Sequence, residues 1–222
     1  MIEVTVSALK ALKTAVRDLL GQQLGSQFAL DVETTGLDDH DRIFGLIIYS
    51  PLRSYYFNFN DLEEEHLPQE SFKLFKPLFE DKSKSWFIHN AIFDLAMLAK
   101  EDLYLKGKVY CTMTLERVLQ NNRMQYSLDV LAKEYEKVIP NMTLKLGDEV
   151  KEYITKHRCF TKWKIPGKDT LIKKMHYDFV PLELMVRSHR DAEVCFKLGV
   201  FQKNRIKTQK LGKIGSQECM LT

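Results

Sequence analysis

Four carboxylates, in three stretches far apart along the chain, carry the chemistry of this sequence. Asp31 and Glu33 lie in Asp31-Val32-Glu33-Thr34-Thr35-Gly36, Asp94 closes His89-Asn90-Ala91-Ile92-Phe93-Asp94, and Asp191 lies in Arg190-Asp191-Ala192-Glu193-Val194. Hard divalent cations such as Mg2+ or Mn2+ prefer oxygen ligands. A set of Asp and Glu therefore suits two such ions, with Asp31 as the bridging carboxylate. Two ions roughly 3.5–4 Å apart supply what phosphodiester hydrolysis needs, an activated water and a stabilised leaving oxygen.

The elements around these acids are legible. Residues 26–33 read as a buried strand, apolar until its end. Side chains alternate along a strand, so Asp31 and Glu33 share a face. Thr34-Thr35-Gly36 ends the strand as a turn, Gly36 permitting positive φ, and its hydroxyls and N–H groups are placed to hold a terminal nucleotide. Ser85-Trp86-Phe87-Ile88 is strand-like, and Asn90 to Lys100 is helical. Asn90 suits the N-cap. Asp94 sits in the first turn, where the macrodipole favours negative charge, and its spacing from Asn90 lets both face one point.

These motifs resemble the DEDD 3′→5′ exonuclease superfamily, with its ribonuclease H-like fold. They are most similar to the proofreading exonuclease domain of family A DNA polymerases, the Klenow-type and phage-type enzymes. Asp31 to Leu37 resembles the first exonuclease motif and Ile88 to Asp94 the second. A third likeness joins Cys111-Thr112-Met113, where the family usually has an acid in place of Cys111, to Tyr126-Ser127-Leu128-Asp129-Val130-Leu131-Ala132. The resemblance implies Asp31, Glu33, Asp94 and Asp191 as catalytic metal ligands. It implies Thr34, Leu37, Asn90 and Phe93 at the terminal nucleotides; Tyr126 and Arg187 are further candidates for substrate contact. The expected partner is single-stranded DNA or a DNA 3′ end, and the expected products are nucleoside 5′-monophosphates.

The last motif departs from the pattern. The family places Tyr four residues before the final Asp, or His five before it, to orient the attacking water. Here those positions hold Arg187 and Val186. Arg187 shares a helical face with Asp191 and cannot act as a base, but it can hold a phosphate or steady developing charge. His189 points elsewhere, about 200° around the helix from Asp191. Tyr177 and His176, in the preceding loop, reach the site only if the chain folds back.

The 222 residues, 45% hydrophobic and 28% charged, suit one globular domain. No apolar run approaches the roughly 18 residues of a membrane span, and the N-terminus lacks a signal-peptide pattern. Cys111, Cys159, Cys195 and Cys219 form no C-x-x-C pair, as expected of reduced thiols in the cytoplasm of a bacterial or phage-infected host cell. The net charge of +3 excludes a strongly basic DNA binder. Lysines are nonetheless dense over residues 151–174, with Tyr153, Phe160 and Trp163 interleaved. That mixture fits either a surface tracking a phosphate backbone or a solvated loop.

The expected fold is α/β: a ribonuclease H-like mixed sheet, its first three strands antiparallel, flanked by helices. An amphipathic helix over 5–20 is followed by strands near 26–33, 42–50 and 53–59, a helix near 70–79, a strand near 84–88 and a helix near 90–101. From 112 onward the pattern is helical, ending in a helix over about 182–208. The acids are expected at one sheet edge, where strand ends meet that helix. The expected organisation is an N-terminal helical segment (1–25), an exonuclease domain (26–207) and a tail (208–222) that resembles a junction to a polymerase domain. Two other readings stay open, an exoribonuclease of the same superfamily and a non-catalytic nucleic-acid clamp or structural domain of a polymerase.

Overall fold

A computed structural model describes residues 2–22, 26–36, 38, 40–164 and 171–209. In chain order it begins β1 (Ile2–Val6), α1 (Leu9–Gly21), β2 (Gln27–Thr34), β3 (Ile43–Tyr49) and β4 (Arg53–Asn58). A 3-10 turn (Gln69–Phe75) leads into α2 (Lys76–Phe79), then β5 (Ser85–Ile88), α3 (Ala91–Lys100), β6 (Lys108–Cys111), α4 (Thr112–Leu119), α5 (Leu128–Tyr135) and α6 (Leu146–His157). A hairpin of β7 (Phe160–Lys164) and β8 (Leu171–Met175), a 3-10 turn (Tyr177–Phe179), α7 (Leu182–Met185), a 3-10 turn (Val186–Ser188) and α8 (His189–Thr208) follow. No described helix is long and apolar enough to cross a membrane.

The main sheet has the order β1-β4-β3-β2-β5-β6. β2, β3 and β4 are antiparallel neighbours, as expected, and β5 and β6 add in parallel. The turn at Ser50-Pro51-Leu52 closes β3 onto β4 through Ser50 N–H to Arg53 O at 2.8 Å. β3 is buried along its whole length, which explains why its apolar run lacks alternation.

Three elements differ from the sequence expectation. The N-terminus is not a lone helix: Ile2–Val6 pairs in parallel with β4, and Val6, Leu12, Ala15, Val16 and Leu19 join the main core. The β-branched run Val4-Thr5-Val6 is the overlooked strand signal. β6 is only four residues long, too short for periodicity to register. The third is the β7–β8 hairpin in a region read as helical; alternation in Phe160-Thr161-Lys162-Trp163-Lys164 is its mark.

The two sheet faces have separate cores. Phe28, Leu30 and Val32 of β2 pack with residues of α1, the Gln69–Phe75 turn and α3. Ala29 of β2 packs on the other face with Ala192 and Cys195 of α8. β2 is interior, so Asp31 and Glu33 stand near the end of a central strand rather than at a lateral edge. α8 lies close against β5 because residue 199 is glycine. A Cβ there would come within 2.2 Å of the Phe87 ring, which is itself wedged between Tyr110 and Phe196. Overpacking of a filled core costs about 1–3 kcal/mol. Gly199→Ala is therefore expected to lower the urea unfolding midpoint by that equivalent; an unchanged midpoint would mean Phe87 moves freely and the close approach is incidental.

Candidate active site

Asp31 and Glu33 project from β2 onto the face covered by α8, Asp31 lying opposite Ile47 in register. Asp94, 3% exposed, approaches from the first turn of α3. Its Oδ1 accepts the Val32 N–H at 3.2 Å, which ties α3 to β2 beside Asp31. Asp191 lies in the first turn of α8 and, with Glu33, lines a cavity of about 180 Å³. Leu146, Gly147, Val150, Lys151, Tyr177 and Met185 complete its walls.

The four acids feel one another's charge. Burial pushes the Asp31 carboxyl up to about 6, against a lowering hydrogen bond from the Val32 backbone. Burial, then the charges of Asp31 and Asp191, raise Glu33 well above the usual carboxylate range; a hydrogen bond from Ser188 opposes them. Asp94 is raised by burial and then by Asp31, against backbone hydrogen bonds at Asp94 and Val32. Asp191 reaches about 7 through burial, then Asp31 and Asp129, with Arg190 opposing. The buried Oδ1 of Asp191 has no hydrogen-bond partner. Burying like charges without partners is costly, and a divalent cation bound among these acids would offset that cost. Among the described residues no three acid, His or Cys side chains already form a metal cage. A cation would have to draw the carboxylates together.

The substrate-contact residues expected from sequence are distributed differently. The Thr34 hydroxyl donates to Gly36 O at 2.8 Å and that of Thr35 to Asp41 at 2.9 Å, so both are engaged within the loop. Gly36 is required for space rather than positive φ: a Cβ there would come within 2.4 Å of the Asp41 carboxylate. Leu37 lies outside the described residues. Asn90 holds the N-cap position in a left-handed conformation (φ 58°) with its side chain making no cap bond. It is exposed, free to meet a ligand. Phe93 is half-buried against the main core. Tyr126 donates to Gln120 O at 2.9 Å and lies under the Arg117 guanidinium, 5.2 Å from its ring centre.

Arg187 does not join the acids. It forms an ion pair with Glu149 of α6 and lines a separate basic cavity of about 280 Å³ with Lys145 and Arg190. The physical reason is local. Val186–Ser188 is a 3-10 turn and α8 begins only at His189, so the residue four before Asp191 is not on the α-helical face that spacing assumed. His189, as expected, faces elsewhere: it is buried, with Nδ1 2.6 Å from Ser54 Oγ. His89 is a structural histidine on Thr112 Oγ1 at 2.8 Å, and burial holds it down to about 4.

Tyr177 is the residue that folding brings in and spacing does not reveal. Its 3-10 turn is pinned by Asn60, which donates to Asp178 O at 2.7 Å, and by Glu63, which accepts the Leu182 N–H at 3.1 Å. Tyr177 lines the cavity beside Glu33 and Asp191, whereas His176 contacts Thr161 Oγ1 at 3.3 Å instead. Tyr56 is a second unforeseen neighbour. It is fully buried and its hydroxyl lacks a partner. Its phenol occupies the notch left by Gly45, where a Cβ would meet Tyr56 Oη at 2.4 Å and Glu33 Cβ at 3.1 Å.

Residues 4–164 match a family model for the 3′-5′ exonuclease of A-type DNA polymerases. The chain belongs to this 3′-5′ exonuclease family. Curated relatives are the DNA polymerase DpoZ of Salmonella phage PMBT28, 29% identical over 204 residues, and DpoZ of Acinetobacter phage SH-Ab 15497, 27% identical over 201. Each alignment covers 88% of this chain and 29% of the relative, so the chain spans less than a third of their length. Among solved structures, the RRP6 catalytic core (mutant C496S) of Trypanosoma brucei aligns with a TM-score of 0.66 at 16% identity, over 97% of this chain and 51% of that one. Trypanosoma brucei RNase D in complex with RNA U12 aligns at 0.63 and 16%, covering 99% and 72%. Brucella melitensis NrnC with bound Mg2+ aligns at 0.55 and 16%, covering 86% and 78%. These neighbours share the ribonuclease H-like fold.

The carboxyl shifts set a pH dependence. Folded values near 6 for Asp31 and 7 for Asp191 lie above the 3.8 of an unfolded Asp, so the folded protein binds the extra protons. This contribution to metal-free stability is fully present below about pH 4 and is lost as pH rises through 6 to 7. In EDTA, Asp191→Asn is expected to melt higher than the parent at pH 8, with the gap closing by pH 4–5. A gap independent of pH would show that Asp191 carries no excess burial cost.

Proposed function

We propose that this domain removes nucleotides one at a time from the 3′ end of single-stranded or frayed DNA, as a proofreading exonuclease associated with a phage-type polymerase. The observation that carries the reading is the convergence of four carboxylates from β2, α3 and α8, Asp94 buried and Asp31, Glu33 and Asp191 half-buried, each raised above the usual carboxylate range. Asp31, Glu33, Asp94 and Asp191 would hold two divalent ions, Mg2+ or Mn2+, and the orphaned Asp191 Oδ1 is an oxygen suited to one of them. When bound, such ions supply water activation and stabilisation of the leaving oxygen. The phage relatives are DNA polymerases, which supports DNA and a linked polymerase domain, joined in this reading through the segment after 207.

The chain's own residues divide the remaining work. The Ser188 hydroxyl lies close enough to Glu33 to temper its rise, and the Val32 N–H fixes one oxygen of Asp94. Asn90 and Phe93, at the start of α3, flank the approach to Asp94. Tyr177, which lines the cavity with Glu33 and Asp191, takes the water-orienting place that neither Arg187 nor Val186 fills. Arg187 acts beside the site, in the basic cavity separated from the acids by Leu146, which lines both. An RNA substrate is the second reading, favoured by the fold shared with an RNase D that binds RNA U12.

Two experiments test this. A 5′-labelled DNA oligonucleotide in Mg2+ or Mn2+ is expected to give a ladder shortened from its 3′ end, absent in EDTA and in Asp31→Ala or Asp94→Ala. Turnover retained in both variants would exclude the site, and faster decay of matched RNA would reassign the substrate. Tyr177→Phe is expected to lower kcat about 10²-fold with little change in KM. An unaltered kcat would leave the hydroxyl with no part in the reaction.

A further inference from the structure

The β7–β8 hairpin presents two contrasting faces. On one, Lys174 donates to Asp41 Oδ1 at 3.0 Å and lies 3.5 Å from Asp38. This anchors the hairpin to the loop that follows the Asp31–Glu33 strand. Alternation places the residues before and after Lys174 on the opposite face. There Phe160 pairs with Met175, and on the rung two residues along Lys162 lies directly opposite Lys173.

Two ammonium groups facing each other across strands repel. Both rest on the same ring: the Lys173 Nζ is 3.9 Å and the Lys162 Nζ 5.0 Å from the Phe160 centroid. Both lysines are exposed, and among the described residues no carboxylate pairs with either. The fold thus concentrates two positive charges that it does not neutralise internally, unlike Lys174 on the other face. The rung beneath them continues into the acid cavity, because Met175 Sδ accepts the hydroxyl of Tyr177 at 3.5 Å and Tyr177 lines that cavity.

We propose that the Phe160, Lys162 and Lys173 face of this hairpin is a backbone track for single-stranded nucleic acid. Lys162 and Lys173 clasp a phosphodiester of the strand whose 3′ end enters the acid cavity past Tyr177 and Met175. The inference rests on the exonuclease reading for its direction, but its test needs no hydrolysis. The added positive charge also answers the electrostatic problem of bringing a polyanion to four acids.

The test is fluorescence anisotropy of the full chain with a 5′-fluorescein-labelled 12-nucleotide single-stranded DNA, in EDTA, across a salt series. Lys162→Ala/Lys173→Ala is expected to weaken binding about tenfold near 0.1 M salt. It should flatten the plot of log affinity against log salt by about 1.4, roughly 0.7 for each single-strand phosphate no longer neutralised. Lys162→Arg/Lys173→Arg should bind like the parent. Lys10→Ala/Lys13→Ala, which removes the same charge from α1, should also leave binding and slope near parental values. Parental affinity in the hairpin alanine variant would overturn the proposal, as would equal weakening by the α1 variant or no binding by the parent. Binding as proposed with no hydrolysis in any metal would instead count against the exonuclease reading and leave the track standing.

Discussion

Four like charges held on the inner face of a packed sheet are the constraint to which the rest of this molecule answers. An isolated carboxylate under α8 would be protonated or expelled toward water. Here the fold retains four by giving some of them fixed donors. Asp94 has the Val32 N–H, the Ser188 hydroxyl tempers Glu33 from nearby, and the remaining imbalance appears as raised carboxyl values at all four positions. The rigidity that prevents the acids from separating lies elsewhere. Gly199 lets α8 sit against Phe87. A second buried acid, Glu116 of α4, is satisfied by Tyr135 at 3.0 Å, Gln202 of α8 at 2.9 Å and Arg123 at 2.9 Å. That network binds α4, α5 and α8 into one unit. Removing one member of such a buried charge pair typically costs about 3–5 kcal/mol.

The contrast between Glu116 and the site acids shows how the fold separates structural from chemical charge. Glu116 and Asp94 are buried, and Asp31, Glu33 and Asp191 are half-buried. Glu116 has both oxygens bonded, whereas Asp191 has an oxygen with no partner. Glu116 is complete as it stands, whereas Asp191 keeps an oxygen that, in the proposed reading, a metal ion would complete. The same distinction sorts the cations. Arg187, Arg190 and Lys174 are each paired with a carboxylate, while among the described residues no carboxylate pairs with Lys162 or Lys173.

What could be read from the sequence follows from how local each signal is. Asp31 and Glu33 share a face because a strand alternates every two residues, and that holds whatever the strand packs against. The start of α3, with Asp94 in its first turn, depends likewise on a few adjacent residues. Arg187 is the opposite case. Its direction depends on whether residues 186–188 wind as α or 3-10, a choice made by the docking of α8 on the sheet and by Ser188 bonding Met185 O at 2.7 Å. Gly36 shows the same limit: its role is set by Asp41, five residues on, folding back over it, and not by its own dihedral. The parallel strand β1 and the hairpin are short elements whose partners decide them, and periodicity over four or five residues is too weak to compete with a neighbouring helical pattern.

Tyr177 joins these threads. It lies between the hairpin and α7, and the loop that holds it is restrained from two sides. Asn60 and Glu63, just beyond β4, fix the turn from below. Lys174 ties the hairpin to Asp41 next to the first acid pair. The phenol is therefore positioned by contacts that themselves report on the strand carrying Asp31 and Glu33. A chain with Arg187 in place of the usual aromatic or imidazole lacks that group at the turn leading into α8. In the proposed reading, supplying it from a tethered turn instead would couple the approach of the substrate strand, along the hairpin, to the placement of the Tyr177 hydroxyl. A strand drawn along Lys162 and Lys173, as proposed, would bear on Met175 and hence on the Tyr177 hydroxyl it accepts, and would thereby link substrate engagement to site geometry.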